Sequence, residues 1–131
     1  MSEKKVHLKL AEELPIYRDT LMLATTFIQA TYKFDRIFRY TIGEKIIDHL
    51  TDMFYLIQEI VISQTNKAKN IESFVIKLNT IKTLIKICGE SNQLSINKLA
   101  ELSFLMENIG KQANGWRSKT LTDENGDKPF E

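Results

Sequence analysis

Apolar residues recur at spacings of three and four in four successive segments of this chain, and that period is the feature that most limits its fold. In the first segment Ile16, Leu23, Phe27, Ala30 and Phe34 form one row, and Tyr17, Leu21, Ala24 and Ile28 form a second beside it. The second carries Ile46, Leu50, Met53, Ile57 and Ile60, flanked by Ile47, Phe54 and Val61. The third has Phe74, Leu78, Ile81 and Ile85, and the fourth Leu99, Leu102, Met106, Ile109, Ala113 and Trp116. Such rows place one apolar stripe on each helix, and stripes of this kind are buried by packing helix on helix. Only 5 glycines and 2 prolines occur in 131 residues, few for a sheet-rich chain that turns often.

Local punctuation predicts the boundaries. Leu14-Pro15 opens the first helix, since proline lacks an N–H that would be unpaired there anyway. Thr41-Ile42-Gly43-Glu44 has the form of a capping box and predicts a second helix starting at Thr41. The third is predicted from about Asn70 to Cys88, with Gly89 taking the left-handed conformation that closes a helix. Ser95 is the predicted cap of the fourth, and Gly115 its end. Short loops favour antiparallel neighbours, so the expected architecture is all-α, an antiparallel up-down-up-down four-helix bundle. The expected organisation is an N-terminal arm at 1–13, the bundle at 14–117 and a disordered acidic tail at 118–131.

Composition excludes several classes. No run approaches the roughly 18 apolar residues of a membrane span, and residues 1–14 lack a signal-peptide core, so the expected location is the cytoplasm, with no membrane partner. Cys88 has no second cysteine to pair with and lies in an apolar run, which marks a buried structural thiol. Glu-x-x-His pairs of the di-iron bundles are missing, His49 lies among Lys45, Asp48 and Asp52 on an expected solvated strip, and His7 has no partner that sequence identifies. Nucleophile elbows, glycine-rich phosphate loops and Cys-x-x-Cys pairs are also missing. No enzyme, no metal and no cofactor is expected.

Charge gives the one functional lead. The formal net charge is +1, but residues 123–131 carry four acids and one lysine, and the rest of the chain stands at +4. Between Ile60 and Gly89 five lysines face one acid, Glu72, and Lys82 and Lys86 project together because they are four apart. In an up-down-up-down bundle Lys33, Arg36, Arg39 and Lys45 would share a pole with them, where phosphates could be held. Asp35, Glu44, Asp48 and Glu90 lie near the same pole. No helix-turn-helix or aromatic RNA-recognition signature is present, so any such contact would have little sequence specificity. Apolar residues outside the core rows, Tyr55, Leu56, Ile76, Ile87 and Phe104, point to self-association.

The succession Leu14-Pro15-Ile16-Tyr17, Arg39-Tyr40-Thr41-Ile42-Gly43-Glu44, Ile81-Lys82-Thr83-Leu84-Ile85-Lys86 and Ile109-Gly110-Lys111-Gln112-Ala113-Asn114-Gly115-Trp116 resembles the accessory variability determinants of diversity-generating retroelements, over about residues 10 to 118. They belong to a wider four-helix-bundle family that includes proteins encoded by intervening sequences in 23S ribosomal RNA genes. That second branch, an interaction module of unknown role, is the alternative reading. It carries a Ser-x-x-x-Asn-Ile-Ala-Glu-Gly stretch that this chain lacks. The resemblance implies a non-catalytic homopentamer that binds the retroelement reverse transcriptase and its template RNA or cDNA during mutagenic retrohoming. It carries nucleic-acid contact over to Lys82 and Lys86; Lys33, Arg36 and Arg39 join them as candidates from the charge reading.

Overall fold

A computed structural model describes residues 11–63 and 65–126, the last five of these as backbone only. All regular structure among them is helical. Helix α1 is Pro15–Thr31, with Pro15 in its first turn. Helix α2 is assembled from three contiguous pieces, Arg36–Phe38, a wide π-turn Arg39–Gly43, and Glu44–Ile62. Helices α3, Lys67–Glu90, and α4, Ile96–Gly126, complete the set.

Contacts close a ring in which α1 meets α2 and α4, α2 meets α3, and α3 meets α4. Cross-helix pairs fix the registers. Tyr17 stacks edge-on against Phe54 with centroids 5.2 Å apart, and Lys77 pairs with Asp52 at 2.8 Å. Arg117 pairs with Glu72, and Gln112 donates to Asp19 at 2.7 Å. At one end of the ring the turn before α2 is tied to the turn before α4. Asp35 N–H donates to Gln93 Oε1 at 2.7 Å, and Gln93 Nε2 donates back to Asp35 Oδ2 at 3.0 Å.

The core follows the predicted rows closely in α2, α3 and α4, where Ile46, Leu50, Met53, Ile57, Phe74, Leu78, Ile81, Ile85, Leu102, Met106, Ile109 and Ala113 are buried. Trp116 ends its row half-buried against the core. In α1 the two rows separate. Ile16, Leu23 and Phe27 are buried, whereas Leu21 and Ile28 of the second row stay exposed. Thr20, also buried, satisfies its hydroxyl by donating to Ile16 O at 2.7 Å.

Four boundary expectations are corrected. The second helix starts at Arg36, not Thr41; Thr41 is inside it and donates its hydroxyl to Ile37 O at 2.6 Å rather than capping. Gly43 serves the π-turn instead, because a Cβ there would lie 3.2 Å from Phe38 O. Gly89 remains helical and has no positive φ; Asn92, at φ 61°, supplies the left-handed residue. Gln93 N–H bonds Cys88 O and Asn92 N–H bonds Gly89 O, which together make a Schellman closure. What Gly89 provides is room, since a Cβ would come within 3.0 Å of Leu99 Cδ2.

The other two corrections lie at the ends. The fourth helix does not stop at Gly115 but continues to Gly126, so 118–126 is helical rather than a disordered tail; 127–131 lie outside the described residues. Residues 11–13 are helical and Ala11 is fully buried, so the core reaches into the segment read as an arm. His7 lies outside the described residues. Ser95 caps as expected, its Oγ accepting Lys98 N–H at 3.1 Å.

Candidate nucleic-acid interface

The ends of α1 and α3 and the starts of α2 and α4 meet at one pole through the Asp35–Gln93 pair. This is the pole to which the charge pattern points, and the candidate cations occupy three separate grooves. Lys82 and Lys86, both exposed, line a groove of about 380 Å³ between α3 and α4. Its floor is Ile85, Leu99 and Met106, and its far wall is Ser103 and Glu107. Lys82 crosses above Gly110, where a Cβ would stand 3.7 Å from its Nζ. Lys33 belongs to a second groove between α1 and the start of α4, with Gln29, Ala30, Leu94 and Lys98. Arg36 and Arg39 line a third, with Phe34 and Tyr40.

No one of these grooves gathers the five candidates, and Lys82, opposite Gly110, lies well along α4 from the pole. Nor are the five equally free to meet a phosphate. Arg39 donates through Nε to Thr31 O at 3.1 Å, an oxygen that also accepts Phe34 N–H, and through a terminal nitrogen to Tyr32 O at 2.7 Å, so its guanidinium sits on the carbonyls at the C-terminus of α1. Its first task is structural. Arg36 lies with its guanidinium carbon 5.9 Å from the centre of the Tyr40 ring. Ion pairs among the described residues engage Lys77, Lys98 and Arg117, not Lys82, Lys86, Lys33 or Arg36.

Lys77, one of the five lysines of the basic run, is held by Asp52 and approaches His49 Nδ1 at 3.3 Å. His49 is half-buried against α3 instead of lying on a solvated strip. Sequence reading missed Lys98 and Glu107 as neighbours of the candidate lysines, because both depend on the α4 register. Ser95 as cap, which places Lys98 in the first turn, is the signal that could have found the former. Among the described residues no group of three His, Cys, Asp or Glu could hold a metal, and no helix is long and apolar enough to cross a membrane.

Fold and surface together define a helical protein whose distinguishing features are surfaces: grooves lined by cations and large apolar side chains left in solvent. The bAvd-like family model matches residues 16–120, which reaches from α1 into α4, and the chain belongs to this accessory variability determinant family. No curated protein and no solved structure matches the chain.

Proposed function

We propose that this protein is a non-catalytic accessory subunit that binds a retroelement reverse transcriptase and its template RNA or cDNA, with little sequence preference, in mutagenic retrohoming. The observation that carries the reading is the family match over 16–120. Lys82 and Lys86, which form no ion pair among the described residues, line the α3/α4 groove and support a phosphate contact. The bundle is read as antiparallel, up-down-up-down. Between α3 and α4 the pairing of Glu72 with Arg117 and the approach of Gly89 to Leu99 support this reading. Several copies, five by family resemblance, would add their modest charges into a field strong enough to attract a polyanion. A cytoplasmic location fits these partners.

The test is an affinity titration of RNA and DNA oligonucleotides at several salt concentrations, for the parent and for K82E/K86E. Binding by the parent should fall steeply with salt, since each neutralised phosphate releases counterions. The double variant should bind more weakly with a shallower salt slope and an unchanged helical circular dichroism spectrum, both lysines being exposed on α3. Equal binding by both proteins would remove the two lysines from the site. An absence of binding by either would leave contact with the reverse transcriptase as the sole role.

A further inference from the structure

At the pole where α1 passes into α2, the chain displays an aromatic and cationic cluster that the core does not use. Tyr40 is 55% exposed, Ile37 70% and Tyr32 73%, so three large side chains within nine residues face solvent together. Arg36 lies over the Tyr40 ring and forms no ion pair among the described residues. The nearby acid, Asp35, is engaged by Gln93 through both its backbone N–H and its carboxylate. The segment 32–41 thus offers Lys33, Arg36 and Arg39 against one carboxylate that is already hydrogen-bonded.

The backbone holds this cluster in place. Tyr40 is the second residue of the π-turn Arg39–Gly43, where Gly43 leaves room for the close approach of Phe38 O. Arg39 ties the turn to the end of α1 through the carbonyls of Thr31 and Tyr32. Those carbonyls carry the negative end of the α1 dipole, and their satisfaction by a guanidinium weakens a field that would repel an anion. An exposed ring backed by a guanidinium that forms no ion pair among the described residues, on a fixed turn, has the parts needed to hold an unpaired base and its phosphate. The ring supplies a π-face on which any base stacks, and Arg36 supplies charge to the backbone.

We propose that Tyr40, backed by Arg36, is a stacking platform for an unpaired base, so that the protein prefers single-stranded nucleic acid to duplex at this pole. The inference rests on the proposed binding of nucleic acid and assigns its strandedness and a residue outside the lysine groove. In a duplex the bases are stacked on one another and present no face to a side chain, which is why the platform discriminates between the two forms.

The experiment uses the full chain with three probes: a single-stranded oligonucleotide, the same sequence as a duplex, and the single strand carrying 2-aminopurine, whose fluorescence falls on stacking. Tyr40→Leu removes the ring and keeps an apolar side chain of good helix propensity; Tyr40→Phe keeps the ring and controls for folding. The parent and Tyr40→Phe should bind single strands more tightly than duplex and quench 2-aminopurine. Tyr40→Leu should lose roughly ten-fold in single-strand affinity, together with the quenching, while duplex binding stays as it was. Equal single-strand affinity and equal quenching for Tyr40→Leu would overturn the platform and leave the patch as a protein contact, even where K82E/K86E still weakens binding. Failure of the parent to bind any probe would overturn this inference and the phosphate reading together.

Discussion

At the scale of single residues, the chain's cysteine and its glycines show how far local sequence carries. Cys88 lies in an apolar run and is fully buried, as that run implies. Burial disfavours the thiolate and pushes its pKa from 9.0 up to about 11, against a smaller opposing effect from a backbone hydrogen bond. An unfolded thiol ionises first as pH rises, so Cys88 makes the fold lose stability between about pH 9 and 11 and contributes no such change below that range. Modification of the folded protein by a thiol-specific maleimide at neutral pH should accordingly be slow, and should accelerate many-fold in denaturant. Rapid labelling of the native protein would show Cys88 to be accessible. Gly89 and Gly43 are less legible. Each has the sequence context of a helix terminus, yet each is used for a close approach, to Leu99 and to Phe38 O respectively, and close approach depends on tertiary register that spacing does not encode.

At the scale of elements, core rows are legible in sequence and helix ends are less so. Periods of three and four report burial directly, and in α2, α3 and α4 they select the buried faces. Termination is a competition between local signals and continued hydrogen bonding, and here continuation wins twice. The capping-box residues Thr41 and Glu44 lie inside α2, and Gly115 lies inside α4. The candidate site suffers from the same gap. That the turns before α2 and α4 share a pole follows from helix order, but which groove each cation enters depends on register, so Arg39 as a cap and Lys77 as a partner of Asp52 could not be read from spacing. Gly115 provides a direct test of the longer helix. A Cβ there would meet nothing within 4 Å, and a glycine in a helix interior costs about 0.5–1 kcal/mol relative to alanine. Gly115→Ala should therefore stabilise the protein by about that amount, seen as a higher urea midpoint at constant m-value. If α4 ended at Gly115 with a left-handed residue, the same substitution would destabilise it.

For the whole molecule, the second apolar row of α1 bears on assembly. Leu21 is 51% exposed and Ile28 40%, and with Tyr32 they follow one side of the helix at spacings of seven and four, while Met22, 57% exposed, lies beside that row. Ile76, Ile87 and Phe104 are exposed on α3 and α4, so apolar area is left over on several sides of the ring and not on α1 alone. Isolated exposed apolar residues are ordinary, but a stripe of three along one helix with Met22 beside it is of the kind that marks a contact between proteins. A homo-oligomer, proposed here as a pentamer, would cover such a stripe with a second copy. Light scattering at micromolar concentration should then return a mass several times 15.2 kDa. Leu21→Glu with Ile28→Glu should lower that mass while leaving the monomer's helical content intact, because both side chains lie outside the core and glutamate is a good helix former. A parent mass of 15.2 kDa would remove self-association altogether. An unchanged mass in the double variant would move the interface from α1 to the faces bearing Ile76, Ile87 and Phe104, and a variant of those three residues would locate it.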